Sequence, residues 1–188
     1  YLFQKLVRAA FGTNNVDHCT RLCHASSVAA LMETIGSGAV TNVFHDIERA
    51  DVALLIGTNT SVNHPVAATF FKQAAKRGTK LIVVDPRRPD VADHAWKFVR
   101  QRPGTDVALL DGMLHVIIAE KLYDPTFVAD RTSGFEALAE AVAPWTPEVA
   151  SRICGVPAAD IVEVARTFAR AKAAMIFWGM GISQHTHG

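Results

Sequence analysis

The sequence has 188 residues, 49% hydrophobic and 20% charged, with a formal net charge of +1, enough for one globular domain or a domain with an appendage. The near-zero charge, with no basic run longer than Lys76-Arg77 and Arg87-Arg88, argues against nucleic acid as the main partner. No apolar run approaches the roughly 18–20 residues of a membrane-spanning helix, and no signal peptide opens the chain.

In chain order, residues 1–11 (YLFQKLVRAAF) carry apolar side chains at helical spacing and stop at Gly12-Thr13-Asn14-Asn15, which predicts a helix with a polar exit. Two cysteines then stand four positions apart, each beside a histidine: His18-Cys19 and Cys23-His24. Residues 26–35 read as a second helix, ended by Gly36-Ser37-Gly38. The run 51–57 (DVALLIG) is of the kind buried on both faces of a parallel sheet. Pro65 suits a helix's first turn, and 66–77 keep helical periodicity up to Gly78. Residues 80–84 (KLIVV) are a second β-rich run, and 97–100 a third strand. Thr105-Asp106 can cap a long helix over 107–121. Short helices are expected at 127–129, 135–142 and 148–153, a longer one over 157–169, and a last buried strand over 173–178 (AAMIFW).

Strands alternating with helices predict an α/β fold: a Rossmann-like, mostly parallel sheet flanked by helices, with right-handed crossovers. Ligands of such sheets bind at the carboxyl ends of the strands, near a switch in strand order. Four segments fall there: Gly57-Thr58-Asn59, Asp85-Pro86-Arg87, the 102–106 turn with Gly104 and Asp106, and Gly179-Met180-Gly181. An Asp there can accept bonds from a ribose or purine edge, and an Arg can hold a phosphate. A Gly-Thr-Asp helix start offers backbone N–H groups to an anion. Each segment alone is equally well ordinary turn and capping chemistry. All four on one edge favour a nucleotide-like ligand. Neither a GxGxxG fingerprint nor a P-loop is present.

The Cys/His cluster admits several readings. Four tetrahedral zinc ligands within residues 18–24 are hard to arrange, because adjacent side chains diverge and zinc sites space their pairs widely. A thiol hydrolase needs its base on the sulfur, which neighbouring helical side chains, ~100° apart, do not achieve. Cys19 and Cys23 lack the C-x-x-C spacing of redox motifs. A buried cysteine at a helix start stays open. Cys23 precedes an apolar helical run, where a helix N-terminus would stabilise its thiolate, a soft metal ligand. His24 beside it can take up a proton. Three cysteines, Cys19, Cys23 and Cys154, are an odd number that does not suit a secreted disulfide framework and points to a reducing compartment, the cytoplasm. Cys154 reads as packing, His94 and His115 as satisfied histidines, and Trp96, Trp145 and Trp178 as core or interface anchors. His185 and His187 are open between a role beside the last loop and a solvated tail.

The string NNVDHCTRLCHASSVAALMETIGSGAVTN closely resembles the active-site segment of molybdenum- or tungsten-dependent formate dehydrogenase catalytic subunits, of the dimethyl-sulfoxide-reductase family. The resemblance continues through HPVAATFFKQAAKRGTKLIVVDPRRPD, RPGTDVALLDGMLHVI and LYDPTFVADRTSGFEAL to AKAAMIFWGMGISQHTHG, essentially the whole chain. It is nearest the cytosolic NAD-linked branch. The resemblance implies that Cys23 aligns with the cysteine, or selenocysteine, that ligates molybdenum, and His24 with the adjacent active-site histidine. It implies that Gly57, Asn59, His64, Asp85, Arg87, Gly104 and Asp106 lie around a guanine-dinucleotide arm of a bis-molybdopterin cofactor. Gly179, Met180, Gly181 and Gln184 match a loop near the pterin and metal.

By the same resemblance, the family's iron–sulfur cysteines and a lysine between cluster and metal are upstream of this stretch, and an active-site arginine follows it. The chain, which opens at Tyr1 rather than Met, is therefore expected to be one α/β domain of a larger subunit. Residues 1–45 would be a helical segment carrying Cys23-His24, and 46–188 a nucleotide-cofactor-binding core. The implied activity is reversible oxidation of formate to CO2. Electrons would pass through 4Fe-4S clusters and partner iron–sulfur and NAD/flavin-binding subunits to NAD. The rival is a non-catalytic nucleotide-binding or structural domain, as in the large subunit of respiratory NADH–quinone oxidoreductase. The retained Cys-His pair and strand-edge segments favour the enzyme.

Overall fold

The computed structural model of the chain describes residues 1–186, and of Arg21 the backbone alone. His187 therefore lies outside the described residues. The chain forms two units, residues 1–40 with the stretch from Ser183, and Thr41–Ile182.

The smaller unit is helical. Helix α1 (Leu2–Ala9) stops short of Gly12, and Arg8 Nη1 donates to Asn14 Oδ1 at 2.9 Å just beyond it. A one-turn helix α2 (Thr20–Cys23) follows, and His24 separates it from α3 (Ala25–Ile35). Helix α3 ends at Gly36, whose φ of 71° is the left-handed conformation a helix C-cap requires. Inside this unit, Ser26 Oγ donates to the Ser183 carbonyl at 2.6 Å and Ser27 Oγ meets Ser183 Oγ at 2.5 Å. Gln184 Nε2 donates to the Leu22 carbonyl at 3.2 Å.

In the larger unit, Val52–Ile56 is apolar at every position and forms strand β1, with all five residues buried. Next come α4 (Thr60–Asn63) and α5 (Pro65–Arg77), then β2 (Lys80–Val84) and β3 (Lys97–Val99). The helices α6 (Asp106–Ala119), α7 (Pro125–Arg131), α8 (Phe135–Val142), α9 (Pro147–Cys154) and α10 (Ala158–Ala169) precede β4 (Ala174–Trp178), and a helical turn α11 (Met180–Ser183), whose last residue is already counted with the smaller unit, closes the series. The four strands form one parallel sheet in the order β3-β2-β1-β4.

Side chains of a strand alternate between faces, and β1 shows it. Val52, Leu54 and Ile56 join a core with Leu109, Met113 and Ile161 of α6 and α10. Ala53 and Leu55 join a second core with Phe71 and Ala74 of α5 and with Ile47 and Val91. Helices thus cover both faces, as a buried parallel sheet demands, and the expected α/β class is what the chain adopts. Close helix packing has its own requirement at Gly112, where an added Cβ would lie 2.6 Å from Ala150 Cβ.

Phe71 has no exposed surface and packs edge-on to Phe44 and Phe177, with ring centroids 5.2 and 4.9 Å away. Phe71→Ala is therefore expected to lower unfolding free energy by about 3–5 kcal/mol. A shift of the denaturation midpoint with unchanged slope would show it.

Two expectations need correction. The last strand was expected to be buried, but among the described residues β4 pairs with β1 alone, at the sheet edge, and is half-exposed, Ile176 by 48%. Thr105 does stand at the N-cap of α6, but its hydroxyl donates back to the Arg102 carbonyl at 2.7 Å rather than accepting a helix N–H. Of the tryptophans read as core or interface anchors, Trp178 packs against the first core. Trp96 is exposed, with Lys80 Nζ 5.0 Å from its ring, and Trp145 and Trp178 are half-buried. Cys154 is fully buried, and His115 Nδ1 lies 3.1 Å from the Val142 carbonyl, as packing readings require.

Candidate cofactor site

The strand order places the candidate edge. Going β1, β2, β3 the sheet grows one way, and β4 then returns to the other side of β1. The switch point therefore lies between the carboxyl ends of β1 and β4, where ligands of open α/β sheets bind. All four predicted segments follow strand ends on this one edge: 57–59 after β1, 85–87 after β2, 102–106 after β3 and 179–181 after β4.

At the switch point two loops touch backbone to backbone. Gly179 N donates to the Ile56 carbonyl and Gly181 N to the Gly57 carbonyl, at 3.3 and 3.0 Å. A Cβ on Gly181 would stand 2.6 Å from Gly57 Cα, and one on Gly179 2.8 Å from Gly57 O. Gly57 itself has φ 58°, and a Cβ there would meet Gly181 C at 2.8 Å. No residue with a side chain fits at any of the three without parting the loops. Met180 between them is half-buried.

Around this point the edge holds hydrogen-bonding capacity that the described chain does not use. Asn59 Oδ1, Thr60 Oγ1 and Ser61 Oγ, all just after β1, are buried without partners, as is Gln101 Oε1 after β3. A buried acceptor without a donor costs about 1–3 kcal/mol, so this edge suits a polar ligand that brings donors. Gln101, 3% exposed, donates from Nε2 to Asp106 Oδ1 at 2.8 Å, which fixes the buried carboxylate in the first turn of α6. Gly104 is exposed with φ 76°, and nothing stands within 4 Å of where its Cβ would be.

Other predicted residues divide between ligand and turn chemistry. Asp85 Oδ1 accepts the Arg87 N–H at 2.8 Å, a local turn, while the Arg87 side chain is exposed. His64 is exposed and stands between α4 and α5, its N–H donating to the Thr60 carbonyl. Arg102 is committed elsewhere: Nη1 donates to the Arg152 and Ile153 carbonyls at the end of α9.

Cys23, His24 and Gln184 belong to the smaller unit. The thiol directly precedes the apolar helix, as the sequence pattern suggests, with a one-turn helix of its own before it. Cys23 is the last residue of α2, and His24 is the N-cap of α3. Desolvation first, then the charge and hydrogen bond of Cys19, raise the Cys23 thiol above the ordinary cysteine range. These influences act against the stabilisation of the thiolate expected from the helix start. A coordinated metal would have to displace the proton. Among the described residues, no group of three or more His, Cys, Asp or Glu gathers to hold a metal. One protein sulfur is sufficient only where a cofactor supplies the remaining donors. Gln184, through its bond to the Leu22 carbonyl, is held beside the residue preceding Cys23. His24 is exposed.

Sequence reasoning missed Thr60, Ser61 and Gln101, and the clamp of Ser26 and Ser27 on Ser183. Polar residues just after a strand end were the available signal for the first two. Gln101 carries no sequence signal of its own, since its role follows from burial beside Asp106.

The molybdopterin oxidoreductase family model matches residues 1–188. The chain is 46% identical over 188 residues to the F420-dependent formate dehydrogenase subunit alpha of Methanocaldococcus jannaschii, covering all of this chain and 28% of that protein. It is 44% identical to formate dehydrogenase H of Escherichia coli, again over its whole length and 26% of that protein. Among solved structures it is similar to acetylene hydratase from Pelobacter acetylenicus, with TM-score 0.73 and 37% identity, over 83% of this chain and 21% of the other. The chain thus spans just over a quarter of the length of these curated relatives.

Proposed function

Because the chain belongs to the molybdopterin oxidoreductase family, we propose that it is an internal segment of the catalytic subunit of a molybdenum or tungsten formate dehydrogenase. What carries this reading is the match along the entire chain, at 46% and 44% identity, to subunits named as formate dehydrogenases. The likeness to a protein named for a hydration shows that the fold alone does not choose the substrate.

The residues present fit the family's cofactor. The strand-edge segments, with their unused buried oxygens and glycine-only loops, would hold a nucleotide arm, which we take as the guanine-dinucleotide form. Asn59 and Asp106 would accept bonds from the base or ribose, and Arg87 would pair with phosphate. Gly104 would leave the backbone bare where the arm approaches, and Gly57, Gly179 and Gly181 let the two loops of the switch point close on each other. His64, Asp85 and Met180 would complete that edge; Gln184, in the smaller unit with Cys23, would serve the pterin and metal. Cys23 would give its sulfur to the metal. When bound, that centre supplies two-electron redox chemistry. Formate oxidation to CO2 releases one proton with the two electrons, and His24, exposed beside the ligand, is the imidazole that would take up that proton.

The same proposal includes 4Fe-4S clusters in the rest of the subunit, iron–sulfur and flavin-binding partners, a cytoplasmic setting and NAD as final acceptor. No helix among the described residues is long and apolar enough to cross a membrane. The test is formate-dependent reduction of an artificial acceptor by the holoenzyme, with NAD and F420 then supplied separately. Turnover with either dinucleotide or deazaflavin identifies the acceptor. A metal-loaded enzyme that oxidises no formate overturns the reading.

A further inference from the structure

Cys19 stands at the N-cap of α2 and Cys23 at its end, with Cys23 N donating to the Cys19 carbonyl at 2.9 Å. Four residues apart on that single turn, the two side chains leave the same face of α2, and Cys19 is near enough to help push the Cys23 thiol up. Cys19 is exposed and Cys23 half-buried. Side chains one helical turn apart have Cβ atoms about 5–6 Å apart, whereas a disulfide prefers about 3.5–4.5 Å. Closing the bond therefore requires α2 to tighten, and a helix of one turn that gives way at His24 (φ −125°, ψ 13°) resists little. Strained, exposed disulfides are the readily reduced, regulatory ones, and in reducing compartments disulfides are transient and redox-sensing.

We propose that Cys19 and Cys23 close into a reversible disulfide that withholds the Cys23 sulfur from the metal until it is reduced. The oxidant is a low-molecular-weight disulfide, RSSR. The Cys19 thiolate attacks one of its sulfurs and expels RS⁻; the Cys23 sulfur then attacks Cys19 Sγ and expels a second RS⁻. Both Cys sulfurs are oxidised, RSSR is reduced to two RSH, and the two thiol protons leave with them. Excess RSH reverses both steps. Closure of the bond stands on the geometry of α2 alone; the withholding of a metal ligand rests on the function proposed above.

The experiment equilibrates the cofactor-free full-length enzyme with mixtures of a small thiol and its disulfide, traps the remaining thiols and digests with trypsin. Cleavage after Arg21 separates residues 9–21, with Cys19, from 22–49, with Cys23. The expected result is that the two peptides stay joined by a disulfide, that excess thiol parts them, and that Cys19→Ser abolishes the link. Oxidised wild-type protein should also lose metal uptake in reconstitution and regain it on reduction. Separate peptides, each carrying only a small-thiol adduct, overturn the proposal, and so does a complete link with unimpaired metal uptake. The link is read by mass without turnover, so an enzyme that forms it and oxidises no formate counts against the proposed function instead.

Discussion

Replacing Cys23 by serine is expected to abolish formate turnover by the holoenzyme while the fold survives. Cys23 ends a one-turn helix outside both cores of the sheet unit, and it is half-exposed. A substitution in such a place usually changes stability by no more than about 0.5 kcal/mol. The chemical change is far larger. A thiolate is a soft donor suited to a soft metal site, and a hydroxyl is neither soft nor readily deprotonated. Changes to groups that merely orient a ligand cost about 10–100-fold, so loss of the sulfur proposed to ligate the metal should exceed that range. The measurement is turnover per bound metal in Cys23→Ser beside wild type, with circular dichroism as the control on folding. Wild-type turnover in a metal-loaded variant would remove Cys23 from the mechanism.

Gly181→Val should be nearly as damaging, for a different reason. The new Cβ would stand 2.6 Å from Gly57 Cα and 2.7 Å from Gly57 O. Both are backbone atoms, which cannot rotate aside as a side chain can. The loops after β1 and β4 must part, at a cost typical of overpacking, about 1–3 kcal/mol or more. The switch point widens with them, so nucleotide content should fall along with melting temperature. Gly104→Ala separates strain from collision. That glycine also has positive φ, 76°, but its Cβ position is open, so the cost should be only about 1–2 kcal/mol of backbone strain. If both substitutions lower stability equally and neither lowers nucleotide content, the glycine contact has no part in binding.

Much of the sheet unit was legible because its signals are local. A run such as Val52–Ile56, apolar at every position, reads as a strand covered on both faces. Pro65 and Gly78 mark the two ends of α5 by backbone chemistry alone. The four polar segments could be assigned to one edge because parallel strands all end on the same side. What stayed hidden depends on partners distant in sequence. The composition of Ala174–Trp178 is that of a buried strand, and only the strand order leaves it at an edge. Nothing near Gly57 or Gly181 announces that each excludes a Cβ on the other. Gln101 reads as a polar loop residue until its burial against Asp106 is seen.

Cys23 shows the same division. Residue type and neighbours singled it out, yet four residues are too few to reveal α2 by periodicity. The helix start inferred after it is that of α3, capped by His24, while desolvation and then Cys19 push the thiol up. The metal-ligating role proposed for Cys23 therefore rests on its being a soft sulfur and on the resemblance of its segment to the family's active-site stretch.

The most direct test is X-ray absorption at the molybdenum or tungsten edge of the holoenzyme, wild type beside Cys23→Ser. Coordination by one protein sulfur in addition to the cofactor's own, lost in the variant, is the expected result. Identical sulfur coordination in the two proteins would contradict it.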